Sequence, residues 1–331
     1  MSRRIGSIVG VLLVLAVLAA GCVGPVSEPT ASPTPVMVML DWFPNTNHTG
    51  LYVALEQGWY EQEGLDVQIV EPAEGSTLVQ VVAAGQADFG VSYQEEVSYA
   101  RAEEVPIVSI AAVIQHNTSG FASPEDRGIT RPKDFEGKRY GGWGSPIERA
   151  VLDVLMACDS GDVNQVEFID IGYADFFTVI QRDIDFAWIF YGWTGIEAGL
   201  RGVPLNVIML SDWVQCVPDY YTPVLITSEE NVAERPELVR SFMAATSRGY
   251  QFAIQNPAEA ADILLKYAPE SNPELVRRSQ EWLSPHYQAD ADRWGEQKLE
   301  IWETYANWMA DRELLPRHIE AQEAFTNEFL P

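Results

Sequence analysis

Short apolar, β-rich runs alternate with helix-periodic stretches from Met37 onward. Residues 37–40 read as a strand, 50–57 as a helix stopped by Gly58, 66–70 as a strand, 77–84 as a helix stopped by Gly85, and 88–92 as a strand. Glycines that close helices between strands are the rhythm of βαβ units, so the pattern predicts an α/β fold with substantially parallel sheet. A second series begins after Phe135-Glu136-Gly137, with strands at 139–141, 166–169 and 185–189 and helices at 147–156 and 175–181. Two similar series predict two lobes. After Tyr221 one more strand, 223–227, precedes an almost wholly helical region: 236–255, 257–267, 273–282 and 292–309, with proline at or near the first turn of three. The aromatics of these late helices, among them Phe242, Tyr250, Trp294 and Trp302, recur at helical spacing and read as core. No repeat of solenoid length is present.

The start of the chain stands apart from this pattern. Arg3-Arg4 precede an apolar run over 5–18 and then Ala19-Ala20-Gly21-Cys22, the charged, apolar and small-residue regions of an export signal. The run is too short for a comfortable membrane span. Leu18-Ala19-Ala20-Gly21-Cys22 resembles the bacterial lipobox, whose cysteine is acylated and becomes the mature N-terminus; the alternative is an ordinary signal peptide with a chance cysteine. Residues 23–36 carry four prolines and read as an extended tether outside the core. An exported, tethered, two-lobed α/β chain has the general form of a solute receptor feeding a membrane transporter, its ligand held between lobes that close. Fold alone does not name that ligand.

Composition narrows the classes. The chain has 331 residues, 47% of them hydrophobic, enough for one large or two medium domains with real cores and against whole-chain disorder. Asp and Glu number 48 against 21 Lys and Arg, a formal charge of −27. Four lysines leave little material for a basic stripe, which excludes nucleic acid as a partner. Three cysteines, Cys22, Cys158 and Cys216, are too few and too dispersed for a disulfide scaffold or a zinc cluster, and no metal or cofactor is expected. Whether Cys158 and Cys216 pair stays open.

Five segments carry more than pattern: 41–50 (Asp-Trp-Phe-Pro-Asn-Thr-Asn-His-Thr-Gly), 92–96 (Ser-Tyr-Gln-Glu-Glu), 115–120 (Gln-His-Asn-Thr-Ser-Gly), 140–148 (Tyr-Gly-Gly-Trp-Gly-Ser-Pro-Ile-Glu) and 185–197 (Asp-Phe-Ala-Trp-Ile-Phe-Tyr-Gly-Trp-Thr-Gly-Ile-Glu). In this order they resemble the formyl-aminopyrimidine-binding lipoproteins of bacterial thiamine-precursor ABC importers, relatives of the yeast thiamine-pyrimidine synthase, over roughly 37–331. The wider family includes receptors for other aromatic vitamins such as riboflavin. The resemblance implies a two-lobed type II periplasmic-binding-protein fold with a helical C-terminal region, one lobe from 37–125 plus 223–331 and the other from 126–222. It also implies extracytoplasmic location on a lipid anchor at Cys22, and permease and ATPase subunits as partners.

The residues add their own account of the ligand. Segments 41–49, 93–96, 115–119, 141–146 and 188–197 contain no Lys or Arg. Sulfonate, nitrate or phosphate ligands normally want an Arg fork or a basic point charge, so the ligand is expected to be planar and neutral or weakly cationic. Trp42, Tyr93, Trp143, Trp188, Tyr191 and Trp193 offer faces for stacking, and a buried carboxylate takes the N–H groups of a 4-aminopyrimidine. Asp41 and Glu197 are candidates for that carboxylate, with Glu96 beside Tyr93. Each has a rival reading: Asp41 as a cap of the loop 44–49, Glu197 as a helix-start acid favoured by the dipole, Trp188 and Trp42 as core. Asn117 and Thr118 bond a ligand amide or satisfy a turn. Trp143-Gly144-Ser145 opens a helix whose free N–H groups suit a formyl oxygen. Tyr220-Tyr221 serve as hinge or wall.

An enzyme reading is weaker. The cysteine-rich iron motif of the yeast relative would fall near 217–221, Val-Pro-Asp-Tyr-Tyr, which has no cysteine, and no lysine precedes Lys133 for a Schiff base. His48 and His116 read as loop or core histidines, and no Ser-His-acid, Walker or dinucleotide motif is present.

Overall fold

Burial alternates along the strands Thr34–Met39 and Leu65–Val70 and is continuous along Phe89–Ser92, Ile107–Ala112 and Val224–Ser228, as in a sheet covered on both faces. The structure, a computed structural model, describes residues 32–72, 78–172 and 174–331. Ten strands occur among them: β1 (Thr34–Met39), β2 (Leu65–Val70), β3 (Phe89–Ser92), β4 (Ile107–Ala112), β5 (Ser119–Pro124), β6 (Arg139–Gly142), β7 (Glu167–Asp170), β8 (Phe186–Phe190), β9 (Leu205–Met209) and β10 (Val224–Ser228). They form two five-stranded sheets, ordered β2-β1-β3-β10-β4 and β7-β6-β8-β5-β9. In the first, β10 runs antiparallel to both neighbours; in the second, β5 does. The other four strands of each sheet therefore point one way, and the chain passes between sheets twice, from β4 to β5 and from β9 to β10. Both passages leave and enter at the carboxyl ends of the parallel strands, the edge where α/β sheets collect ligands.

Three expectations change. The tether was expected to run to residue 36, yet Thr34, Pro35 and Val36 pair with Leu65, Asp66 and Val67, and Val36 is buried. Strand β3 joins β1 only at Val38 and Met39, so Pro35 sits beside an open edge where its missing N–H is tolerated. The expected lobe boundary at 125/126 puts 119–124 in the first lobe, whereas β5 lies inside the second sheet. Finally, 292–309 was expected as one helix, and the helix is Leu299–Ala310. Gly295 adopts φ +87° against Leu330 and Ala111, a turn that starts the helix late. Residues 1–31, with Cys22 and the export signal, lie outside the described residues.

Aromatic packing fills the cores. On the first sheet Phe89 and Tyr60 both stack on Phe242, at 3.8 and 5.6 Å. The helices Thr49–Glu56 and Pro236–Gln255 approach through Gly50 and Gly249, where a Cβ on Gly249 would lie 1.9 Å from the Gly50 carbonyl oxygen. In the second lobe Phe135 stacks on Phe186 at 4.2 Å beneath Phe121 and Tyr140. Cys158, closing the helix Pro146–Cys158, is disulfide-bonded to Cys216. The helix Leu299–Ala310 serves both lobes, Trp302 packing with Tyr221 and Val224 and Tyr305 with Tyr220 and Val217.

Candidate functional site

The loop after β1 is built around Asp41. One carboxylate oxygen lies 2.6 Å from His48 Nε2, and the other accepts the Tyr93 hydroxyl at 2.6 Å. The Asn45 N–H donates to His48 Nδ1, which places the imidazole proton on Nε2, facing Asp41. Burial opposes ionisation of Asp41, but the hydrogen bonds from His48 and Tyr93 outweigh it and hold the carboxyl below its usual range. Tyr250 donates to the Asn47 carbonyl at 2.7 Å, and Tyr287 donates to that of Thr46. Asp41 thus organises the loop through the side chains of His48 and Tyr93, while the Asn45 and Asn47 N–H groups donate to His48 and Asn45. With the loop fixed, Trp42 and Phe43 stand 39% and 61% exposed at the rim.

Tyr93 opens the helix Gln94–Ala102, and Ser92 Oγ donates to Glu96 at 2.8 Å. The surrounding protein, with the Asp41 charge beside it, pushes the Glu96 carboxyl upward against that bond. Asn117, on the first passage, spends its side-chain oxygen on Ser119, and its N–H donates to Asp219 on the second passage. His116 bridges Asp219 at 2.6 Å and Asp290 at 2.9 Å. These bonds tie both passages to the C-terminal region. Tyr220 and Tyr221 are buried; Tyr220 stacks on Tyr305 and the Tyr221 hydroxyl accepts the Lys298 N–H.

From the second lobe, Trp143 is 45% exposed and leans on Trp188 at 5.5 Å. Trp188 itself donates to Ser119 Oγ at 2.8 Å and packs on Phe121, which makes it a support for Trp143. The N–H groups expected to be free at Trp143 and Ser145 are taken: both donate to Glu148, at 3.1 and 2.9 Å, and Tyr140 donates to the same carboxyl. Gly144 holds φ +87° between them. Burial pushes Glu148 up, and these donors pull against it. The spacing Ser-Pro-Ile-Glu at a helix start is the signal that finds Glu148. Glu197 accepts Arg201 at 2.8 Å, an ion pair one turn along the same helix, rather than standing free.

Tyr191 tilts against Trp282 of the helix Pro273–Leu283 at 5.2 Å, and Gly192 presses on the same indole. Ser279 donates to the Gly192 carbonyl and lies 2.6 Å from Thr46 Oγ1. One serine therefore links the Asp41 loop of the first lobe to the Tyr191 turn of the second. No sequence motif marks Ser279 or Trp282; they belong to a helix that reads as core. Around these contacts, aromatic faces and carboxyl groups gather at two sheet edges whose loops carry no Lys or Arg. No cluster able to hold a metal occurs among the described residues.

A family model described as NMT1/THI5 like matches residues 45–260. The chain is 30% identical over 327 residues to the formylaminopyrimidine-binding protein of Halalkalibacterium halodurans, covering 97% of this chain and 98% of that one. It is 26% identical over 302 residues to a 4-amino-5-hydroxymethyl-2-methylpyrimidine phosphate synthase of Legionella pneumophila, covering 89% and 92%. Among solved structures it is similar to the alkanesulfonate-binding protein SsuA of Xanthomonas axonopodis pv. citri, with a TM-score of 0.67 at 15% identity over 90% of this chain and 99% of that one. At that identity the likeness concerns the fold, two α/β lobes joined by crossing segments.

Proposed function

Because this chain belongs to the NMT1/THI5-like family, we propose that it is the extracytoplasmic solute-binding component of an ABC importer, taking N-formyl-4-amino-5-aminomethyl-2-methylpyrimidine or a close pyrimidine precursor of thiamine. The observation that carries this reading is the set of side chains at the two sheet edges. Trp42, Trp143 and Tyr191 offer faces to a planar ring, Asp41, Glu96 and Asn117 supply polar groups, and the five loops contain no cation to hold an oxyanion. Acylation at Cys22 would anchor the chain to the cell membrane beside its permease and ATPase partners. The synthase relative suggests catalysis, but no lysine precedes Lys133, and Cys216, the cysteine nearest 217–221, is in a disulfide. The chain is therefore read as a binder that needs no cofactor.

Calorimetric titration of the purified protein with formyl-aminopyrimidine, hydroxymethyl-pyrimidine, riboflavin and an alkanesulfonate tests this. The expected result is that an aminopyrimidine binds with the highest affinity and that added salt changes it little. Tighter binding of the sulfonate or of riboflavin would overturn the ligand assignment.

A further inference from the structure

Tyr191 follows β8 directly and Asp41 follows β1 after one residue, so each stands at the carboxyl end of a parallel strand, one in each lobe. The turn Tyr191–Gly195 grows out of the second sheet, yet the first lobe holds it at three points. The Tyr191 ring tilts on Trp282 with centroids 5.2 Å apart, the Gly192 carbonyl accepts the Ser279 hydroxyl, and Trp193 packs on the first-lobe core. Ser279 is wholly buried and has one proton to give. That proton goes to Gly192, so the Thr46 hydroxyl, 2.6 Å away and also buried, donates to the Ser279 oxygen. Two successive hydrogen bonds therefore span the interval between the Asp41 loop and the Tyr191 turn. Trp282 is braced as well: its ring stacks on His286 at 4.1 Å, and the His286 carbonyl accepts the Gln115 N–H of the first passage. The fit is close, since a Cβ on Gly192 would lie 2.9 Å from Trp282 and one on Gly195 2.6 Å from the Tyr191 ring.

We propose that Ser279 and Trp282 are positioning residues of the ligand site, setting the Tyr191 face at a fixed distance from the Asp41 loop. The inference rests on the ligand reading above, in which Tyr191 offers its face to a planar ring. Such contact is sensitive to placement: a gap of about 0.5–1 Å forfeits roughly a quarter to a half of the dispersion energy. The second lobe fixes the Tyr191 backbone, whose N–H donates to the Thr118 carbonyl at 3.1 Å, while the first lobe fixes the ring and the carbonyl after it. Alanine at 279 would leave the buried Gly192 carbonyl and Thr46 hydroxyl without their partner, a cost relieved only when the groups move toward water. The turn then shifts, and the Tyr191 face with it. A serine that merely filled the core would instead weaken binding by the same factor whatever residue stood at 191.

The test is a double-mutant cycle read by calorimetric titration with formyl-aminopyrimidine, made well below each variant's melting temperature so that only folded protein is titrated. Ser279→Ala is expected to weaken binding about tenfold where Tyr191 is present and less than about twofold in a Tyr191→Ala background. Trp282→Phe keeps an aromatic ring for His286 and gives up contact with Tyr191. It is expected to lose about fivefold, with the same dependence on residue 191. Equal losses in the two backgrounds, or no loss for either variant, would overturn the proposal and make both residues plain core. Should Ser279→Ala fail to fold, the Trp282→Phe cycle decides alone. Wild type that binds no aminopyrimidine would overturn the ligand reading and this inference with it, whereas equal losses in a protein that does bind one overturn the inference only.

Discussion

His48 and Asp41 are seven residues apart, and each satisfies the other at the rim of the site. His48 is fully buried and the Asp41 side chain is 8% exposed, so removing the imidazole strands a charge out of water. His48→Ala is expected to cost about 2–4 kcal/mol in urea unfolding at pH 7. The pH dependence has a definite sign. Asp41 is held below its ordinary range, so its contribution is present above about pH 4 and is lost as pH falls through the folded value; in His48→Ala that acid limb should move to higher pH. Trp143 stands 45% exposed, whereas Trp188 donates to Ser119 and packs on Phe121. Trp143→Ala and Tyr191→Ala are expected to lose about 1–3 kcal/mol of ligand binding with little change in melting temperature. Trp188→Ala, which removes the packing on Phe121 and the bond to Ser119, should instead lower stability by about 3–5 kcal/mol. Residue identities made the rim aromatics legible in the sequence. The bonding of Asp41, Glu148 and Glu197 was not legible, because each partner choice depends on backbone angles and on a neighbour that pattern does not reveal.

Elements whose ends are marked by local chemistry were the readable ones. Helices Pro236–Gln255 and Pro257–Tyr267 begin at proline and match their expected bounds. The helix Gln94–Ala102 and strands β4, β5 and β9 went unread, since polar residues at a helix start, a nearly continuous apolar run in β4 and short mixed runs in β5 and β9 give no clear period. Close helix contact through Gly50 and Gly249 was equally hidden, because a glycine inside a helix reads only as a weak position. Gly249→Ala should drive its methyl into the Gly50 carbonyl and destabilise by at least about 1–3 kcal/mol, measured by thermal unfolding. The passages between lobes carry a titratable pin. Hydrogen bonding to Asp219 raises His116 to about 9 against burial, with Asp290 adding to it. That contribution is full below about pH 6.5 and lost as pH rises through about 9. Allowing for solvent at a side chain 45% exposed, it is on the order of 1 kcal/mol. Stability of wild type measured from pH 6 to 10 should fall by that amount relative to His116→Gln.

At the scale of the molecule, two lobes, their joining passages and the shared helix Leu299–Ala310 make a frame in which Tyr191 meets Trp282, and Gly192 meets Ser279, across the divide. The alternation of strand and helix announced two series, but sheet membership of β5 and β10 is a long-range fact that local pattern does not encode. That interleaving also governs how the chain comes together as it emerges from a ribosome or an export channel. Strands β5 to β9 are contiguous, so the second sheet has all its members once residue 209 is out. The first sheet does not: β10 separates β3 from β4, so β4 has no neighbour and β3 keeps a bare edge until residue 228 arrives. In pulse-labelled hydrogen exchange during refolding, amides of β6 and β8 should gain protection before those of β3 and β4. The interval between them is the window in which an unpaired strand invites aggregation, and in which a chaperone would have most to protect.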